Sequence, residues 1–342
     1  MGYTLATIRV LSSQGAEIHV VHWDHKKRTP FQLSQMPSVT FYARSKLTRA
    51  DIRNLAVGLS PNLTVVSGWS DKDYLSVAEL LRKSSCAVVM GLDGQWKGTP
   101  RQYAARLLGK INWLSKYFSH AWVAGTYQYE YARMLGFDRN AIVFDLYSAD
   151  VSAFHAVYRK RCVRETKYPR RFMFVGRFEP IKGLDVLTEA WRFLGDKRQA
   201  WELHLIGHGS LKAGVKDMPG VVVRDFLQPD KLLEEAVSAG CFVLPSIGEP
   251  WGVVVHEFAA AGVPLILSDV VGAASAFLIS GMNGYTFTAN DVVMLAQRMQ
   301  WVIESSDAQL RSMSEISHKL SHRISPQTSA GNLLSVIERS RQ

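Results

Sequence analysis

At 342 residues the chain is too long for one ordinary core and fits two domains of about 150 residues each. Its 47% hydrophobic and 20% charged residues exclude a disordered chain, and no apolar run reaches the roughly 18 residues that span a bilayer. The net charge of +10 is one-sided: residues 1–160 hold 20 Lys and Arg against 11 Asp and Glu, residues 161–342 hold 20 against 19. The first half therefore suits an anionic partner (a phosphate-bearing acceptor, lipid headgroups or nucleic acid) unless its charge is merely a solvated surface.

No charged segment followed by an apolar one marks a secretory leader, so the protein is expected to stay where it is made. Cys86, Cys162 and Cys241 are odd in number and far apart, which gives no disulfide framework and fits a reducing cytosol.

The chain opens on Gly2–Ser13, which reads as a helix with Leu5 and Ile8 on one face, stopped by Gly15. A strand over Leu5–Leu11 is the alternative. Apolar, β-branched runs follow at Ala16–Trp23, Leu63–Ser67, Cys86–Met90, Ala121–Ala124 and Ala141–Phe144. Helical spacing is expected over Thr99–Phe118 and Gln128–Leu135. The first of these carries Arg101, Arg106, Lys110 and Lys116; it is expected to cover a sheet, or else to lie on an anionic membrane. After a polar stretch, Tyr147–Arg171, strands recur at Phe172–Val175, Trp201–Ile206, Val221–Val223, Cys241–Leu244 and Pro264–Ser268, with helices at Leu184–Phe193 and Gly252–Ala261. Strands alternating with helices make βαβ units, so two doubly wound α/β domains in tandem are predicted: 1–150, 151–325, and a last helix, 326–342, that docks back on the first.

Two segments carry chemistry. In Phe172-Met-Phe-Val-Gly-Arg-Phe-Glu-Pro-Ile-Lys-Gly183, a strand runs into Gly176 and Arg177, and Lys182 opens the next helix. Both cations then sit at the carboxyl edge of a strand, where open α/β sheets bind ligands, and together suit a diphosphate. Two surface cations on a βα loop is the plainer interpretation. In Leu244-Pro-Ser-Ile-Gly-Glu-Pro-Trp-Gly-Val-Val-Val-His-Glu257, Glu249 falls in a loop and Glu257 a turn inside a helix. Free N–H groups near Gly252, Val253 and Val254 make an anion site. One carboxylate can then bind sugar hydroxyls and the other a ribose diol; a capping carboxylate beside an unrelated helix Glu is the alternative for the first.

Gly-Arg-x4-Lys-Gly, followed by Glu-x7-Glu within Glu-Pro-Trp-Gly-x4-Glu, resembles the GT4 family of retaining glycosyltransferases. Leu205-Ile-Gly-His-Gly209, Ala260-Ala-Gly-Val-Pro264 and Ile279-Ser-Gly-Met-Asn-Gly284 add to the likeness, which covers about residues 140–342. The resemblance implies a GT-B fold, two Rossmann-like domains facing across a cleft, and metal-independent sugar transfer with retention. It implies Arg177, Lys182 and Glu249 as catalytic: the two cations neutralise the departing diphosphate and Glu249 holds donor-sugar hydroxyls. Gly176, Gly207, His208, Gly209, Gly252, Val253, Val254 and Glu257 would bind the donor, Glu257 through the ribose. The implied substrate is a UDP- or GDP-linked sugar, the acceptor a saccharide or lipid-linked hydroxyl. The setting is cell-surface polysaccharide or glycolipid synthesis in the cytoplasm, peripherally at the inner membrane face. No cofactor and no metal are expected. A non-catalytic nucleotide-sugar-binding or scaffolding relative is the competing class.

This sequence departs from the family at three places. Gly272-Ala273 stands where two glycines are usual; the first strand and its glycine-rich turn are missing before Gly2, so the first sheet is expected to be gapped; and the acceptor-side His has no counterpart. Asp93, with Trp96 and Lys97 after the strand Cys86–Met90, is the acceptor candidate by loop position. Asp71-Lys-Asp73 is discounted as a metal site, and the ten histidines show no recognisable zinc pair. Nothing resembles a nucleic-acid-binding module.

Overall fold

The computed structural model describes residues 2–24, 35–84, 86–163, 167–215 and 218–339. The chain divides into two compact units, Met1–Ser148 with Ile324–Gln342, and Ala149–Arg323. The C-terminal segment thus belongs to the first unit; its last residues, 340–342, lie outside the described residues, as do 164–166 of the expected polar connection.

In the first unit all strand pairing is parallel. Strands β1 (Ile18–His22) and β2 (Val39–Ala43) pair from Ile18↔Val39 to His22↔Ala43. A second sheet has the order β3 (Leu63–Ser67), β4 (Ala87–Leu92), β5 (His120–Val123), β6 (Ile142–Val143). Among the described residues these strands fall into two sheets, the gap expected of the first domain. That helix, Gly2–Ser13, buries Leu5, Ile8 and Leu11. Strand β4 shows why the larger sheet is covered on both faces. Val88, Met90 and Leu92 join one apolar cluster, with Val77, Leu81 and Leu114; Ala87 and Val89 join another, with Leu11, Trp122, Leu333 and Val336. The helix Pro326–Arg339 supplies the last two.

The expected helix Thr99–Phe118 is two pieces. Thr99 and Gln102 form a reciprocal capping box that starts the helix Pro100–Gly109, and Asn112, at φ 50°, turns the chain into a short 3-10 segment, Trp113–Lys116. It does not simply cover the sheet: Tyr103, Leu107, Leu108 and Ile111 stand exposed among its charges. Asp71 caps the helix Lys72–Arg82 and Asp73 pairs with Arg44 at 2.5 Å, so each acidic side chain of that pair has a structural task.

The second unit is one parallel sheet, in the order β12 (Gly284–Phe287), β11 (Leu265–Ser268), β10 (Cys241–Leu244), β7 (Arg171–Val175), β8 (Glu202–Ile206), β9 (Val221–Arg224). The chain winds outward one way through β7, β8 and β9, then the other way from β10. The helix Leu184–Leu194 buries Leu184, Leu187, Trp191 and Leu194, one face at three- and four-residue spacing. Each such side chain contributes about 1.5–3 kcal/mol when withdrawn from water. Deep in this unit His256 accepts a bond from the Ala149 N–H at 3.3 Å through Nδ1; its Nε2 donates to the Ser321 carbonyl at 2.9 Å.

Candidate active site

Winding direction reverses between β7 and β10, so the loops leaving these neighbouring strands diverge and open a crevice at their carboxyl ends. The first loop carries Gly176, Arg177 and Lys182, the second Ser246 and Glu249.

Backbone bonds lace the loops into one surface. Ile247 N–H donates to the Ile181 carbonyl at 2.9 Å, and Phe178 N–H to the His208 carbonyl at 2.8 Å. Two glycines make this approach possible. Gly183 has φ +66°, and a Cβ there would fall 2.0 Å from the Pro245 oxygen; at Gly207 it would fall 1.8 Å from the Gly176 oxygen. The sequence pattern asks for glycine at these positions because backbone passes where a side chain would stand.

On this surface the Lys182 ammonium donates to the Glu249 carboxylate, with both side chains largely buried. Glu249 also lies over Gly252, where a Cβ would sit 3.2 Å from its Cγ. Gly252, at φ +93°, leads into the helix Val253–Ala260. First-turn amides of a helix have no intrahelical acceptor, and its dipole is positive at that end, so the tip favours an anion. Gly272 and Ala273, the departure from the expected glycine pair, donate their amides to the carbonyls of Glu249 and Trp251 at 3.2 and 2.9 Å. Those donors brace the Glu249 loop.

Arg177 is exposed and makes no hydrogen bond or ion pair among the described residues, so its guanidinium is available to a ligand. His208 is exposed, its ring edge-on to Phe226. Glu257 stands in the second turn of the Val253–Ala260 helix, where burial pushes its carboxyl up to about 7; no hydrogen bond joins it to the Lys182–Glu249 pair. Ser246, which the motif spacing did not single out, has a buried hydroxyl with no partner among the described residues. An orphaned donor at a crevice edge suits a ligand oxygen.

In the first unit Asp93, Trp96 and Lys97 follow β4, as the sequence order requires. Asp93 is exposed and accepts from the Tyr147 hydroxyl at 3.1 Å. The Trp96 ring is packed edge-on to Tyr103 and against Tyr131, with the Arg106 guanidinium 5.9 Å from its centre. Lys97 is exposed, its backbone N–H held by Gln102.

Residues 169–305 match the sequence model of a family described as Glycosyl transferases group 1. An uncharacterized glycosyltransferase of Methanocaldococcus jannaschii is 32% identical over 110 residues, 30% of this chain and 28% of that protein. The glycogen synthase of Mycobacterium tuberculosis is 31% identical over 150 residues, 42% of this chain and 36% of that protein. The chain therefore spans about a third of the length of the curated relatives it matches. Among solved structures, a glycosyltransferase of Rickettsia africae superposes with a TM-score of 0.73 at 13% identity, covering 99% of this chain and 94% of that one. Anabaena HepE in complex with UDP and glucose gives 0.62 at 15% identity, covering 88% and 86%. The fold is GT-B: two Rossmann-like α/β domains.

Proposed function

We propose that the second unit binds a nucleoside-diphosphate sugar and that the protein transfers this sugar to a hydroxyl acceptor. The observation that carries the reading is the Lys182–Glu249 pair, beside the tip of the Val253–Ala260 helix and on the loop that also carries the exposed Arg177, at the point where the strand order reverses. Negative charge grows on the diphosphate as the sugar leaves. An ammonium and helix amides already held at that position, joined by the exposed Arg177 guanidinium, lower the barrier for the departing diphosphate. Glu249 holds donor-sugar hydroxyls, Glu257 the ribose diol, and Gly176 with Gly207–Gly209 leaves room for the donor.

In the finer reading the protein is of GT4 type and transfers with retention. The departing phosphate assists deprotonation of the incoming hydroxyl on the same face, with no metal required because the protein's own cations meet the diphosphate charge. The base is uracil or guanine; a relative by fold crystallised with UDP and glucose supports the former. A saccharide or lipid-linked acceptor would be held by the first unit around Asp93 and Lys97. The exposed Leu107 and Ile111 beside Lys110 support peripheral attachment to an anionic cytoplasmic leaflet, and so a role in cell-surface polysaccharide or glycolipid synthesis.

Calorimetric titration with UDP, GDP and ADP, followed by assay of diphosphate release from the matching sugar nucleotides, tests the reading. A protein that binds none of the three nucleotides would sink it. The divided sheet of the first unit favours a second reading, a nucleotide-sugar-binding relative without turnover. Tight binding with no release for any acceptor would select that one.

A further inference from the structure

Three histidines meet in the second unit, at the C-terminal end of the Val253–Ala260 helix, opposite the tip assigned to the donor. His318 and His322 are one turn apart at the end of the helix Asp307–Ser321, and His155 comes from the helix Ser152–Val163. One ring nitrogen of each lies within 4.8 Å of the others. We propose that His155, His318 and His322 form a binding site for a divalent transition-metal ion of the zinc class, a structural site independent of sugar transfer. No zinc pair is recognisable in the sequence because, although His318 and His322 are four residues apart on one helical face, the third ligand is remote in sequence.

The geometry agrees in three respects. First, Zn–N bonds of about 2.0–2.1 Å at a tetrahedral centre place ligand nitrogens roughly 3.3–3.4 Å apart; the Nε2 atoms of His318 and His322 are 3.4 Å apart. His155 approaches through Nδ1, 3.4 Å from His318 Nδ1, so its ring must turn to bring a nitrogen to the Nε2 pair. Second, His318 Nδ1 lies 2.8 Å from the Ala260 carbonyl. A metal-binding imidazole characteristically spends its second nitrogen on such a carbonyl, which fixes the tautomer and leaves Nε2 its lone pair. Third, Ala260 ends the helix Val253–Ala260, so the ion would sit at the negative end of a helix dipole.

The electrostatic surroundings are mixed. Arg159, close to His155 and His318, opposes a cation at this place. Stacking of His155 on His322, 4.4 Å between centres, and of Tyr158 on His318 at 3.7 Å keeps the rings adjacent; parallel rings aim their lone pairs side by side, so His155 must turn out of its stack to share an ion with His322. Three imidazoles leave a fourth position for water. Bound there, the ion would tie the Ser152–Val163 helix to the last turn of Asp307–Ser321, each close in sequence to a point where the chain passes between units, 148/149 and 323/324.

The test is calorimetric titration of chelator-treated full-length protein with Zn²⁺ at pH 7.5, with Co²⁺ as a visible-absorption probe. One equivalent per chain is expected, with a rise in thermal midpoint. His322→Gln, an exposed substitution, and His155→Gln should each weaken binding at least tenfold, whereas Cys162→Ser, a nearby exposed thiol, should leave it unchanged. Absence of Zn²⁺ binding to the parent protein, or binding unaffected by both histidine substitutions, overturns the proposal. The readout is metal binding rather than sugar transfer, so its failure is distinct from failure of the donor-site reading.

Discussion

Lys182 and Glu249, 67 residues apart in sequence, form an ion pair at the edge where β7 and β10 adjoin, with side chains only 18% and 11% exposed. A pair this sheltered differs from a surface salt bridge: removing one partner strands the other where water reaches it poorly. Lys182→Ala is therefore expected to lose about 2–4 kcal/mol of stability, read as a drop of several degrees in thermal midpoint. It should also lose about 10²–10³ in kcat. Arg177→Ala should show a similar kinetic loss with stability unchanged to within about 0.5 kcal/mol, because that side chain is exposed. Parallel melting curves and initial rates separate the two; equal melting losses would mean that Arg177 also carries structure.

Much of this site was legible before the fold was known, because its residues are dictated by local backbone needs. Gly176 and Gly207 follow strand ends and Gly183 opens a helix, all where backbones nearly touch, and Lys182 and Glu249 lie on the same loops. What remained hidden is what depends on distant packing. Strand β2, Val39–Ala43, has the β-branched and aromatic residues of a strand, but five residues are too few for the periodicity to stand out. The helix Pro100–Gly109 has the basic residues of a sheet cover; only tertiary context shows that Leu107 and Ile111 have nothing packed over them. Trp96, expected in an open acceptor loop, carries an aromatic contact network that its neighbours in sequence do not announce.

Glu257 supplies a pH signature. Burial lifts its carboxyl to about 7, above the roughly 4.3 of an unfolded glutamate. The folded chain holds this proton more tightly, so the associated stability is fully present below about pH 4.3 and is lost as pH rises through about 7. Glu257→Gln, neutral throughout, should match its parent near pH 4 and exceed it at pH 8 by up to about 3 kcal/mol in urea titrations. Nucleoside diphosphate binding should move the opposite way. An ionised carboxylate accepts the ribose hydroxyls, so parental affinity should rise as pH passes through about 7 and the variant's should not.

His256, wholly buried one residue before Glu257, bonds the Ala149 amide and the Ser321 carbonyl at once. His256→Ala removes both partners and leaves a cavity, and each backbone group deprived of its bond costs about 1–3 kcal/mol. A total loss of about 3–5 kcal/mol is expected, measured as the denaturant midpoint at constant slope. His256→Gln, which keeps one acceptor and one donor, should recover part of it. If alanine were as stable as the parent, the bridge would carry no load.

The exposed apolar face of the first unit sets the last test. Leu107 is 64% and Ile111 74% exposed, and Lys110 stands between them in sequence. Sinking two such side chains into the headgroup boundary contributes about 1.5–3 kcal/mol each, and each basic residue near an anionic leaflet about 1 kcal/mol. The sum outweighs the modest cost of orienting the protein, so the parent should float with vesicles containing anionic lipid and less with neutral ones, the difference shrinking as salt rises. Leu107→Glu with Ile111→Glu reverses both contributions at positions where nothing packs, so it should abolish flotation without lowering the melting temperature. Soluble-acceptor turnover should be untouched. Equal flotation of parent and double variant would show that this face does not meet the bilayer, and would return the basic charge of the first half to an ordinary solvated surface.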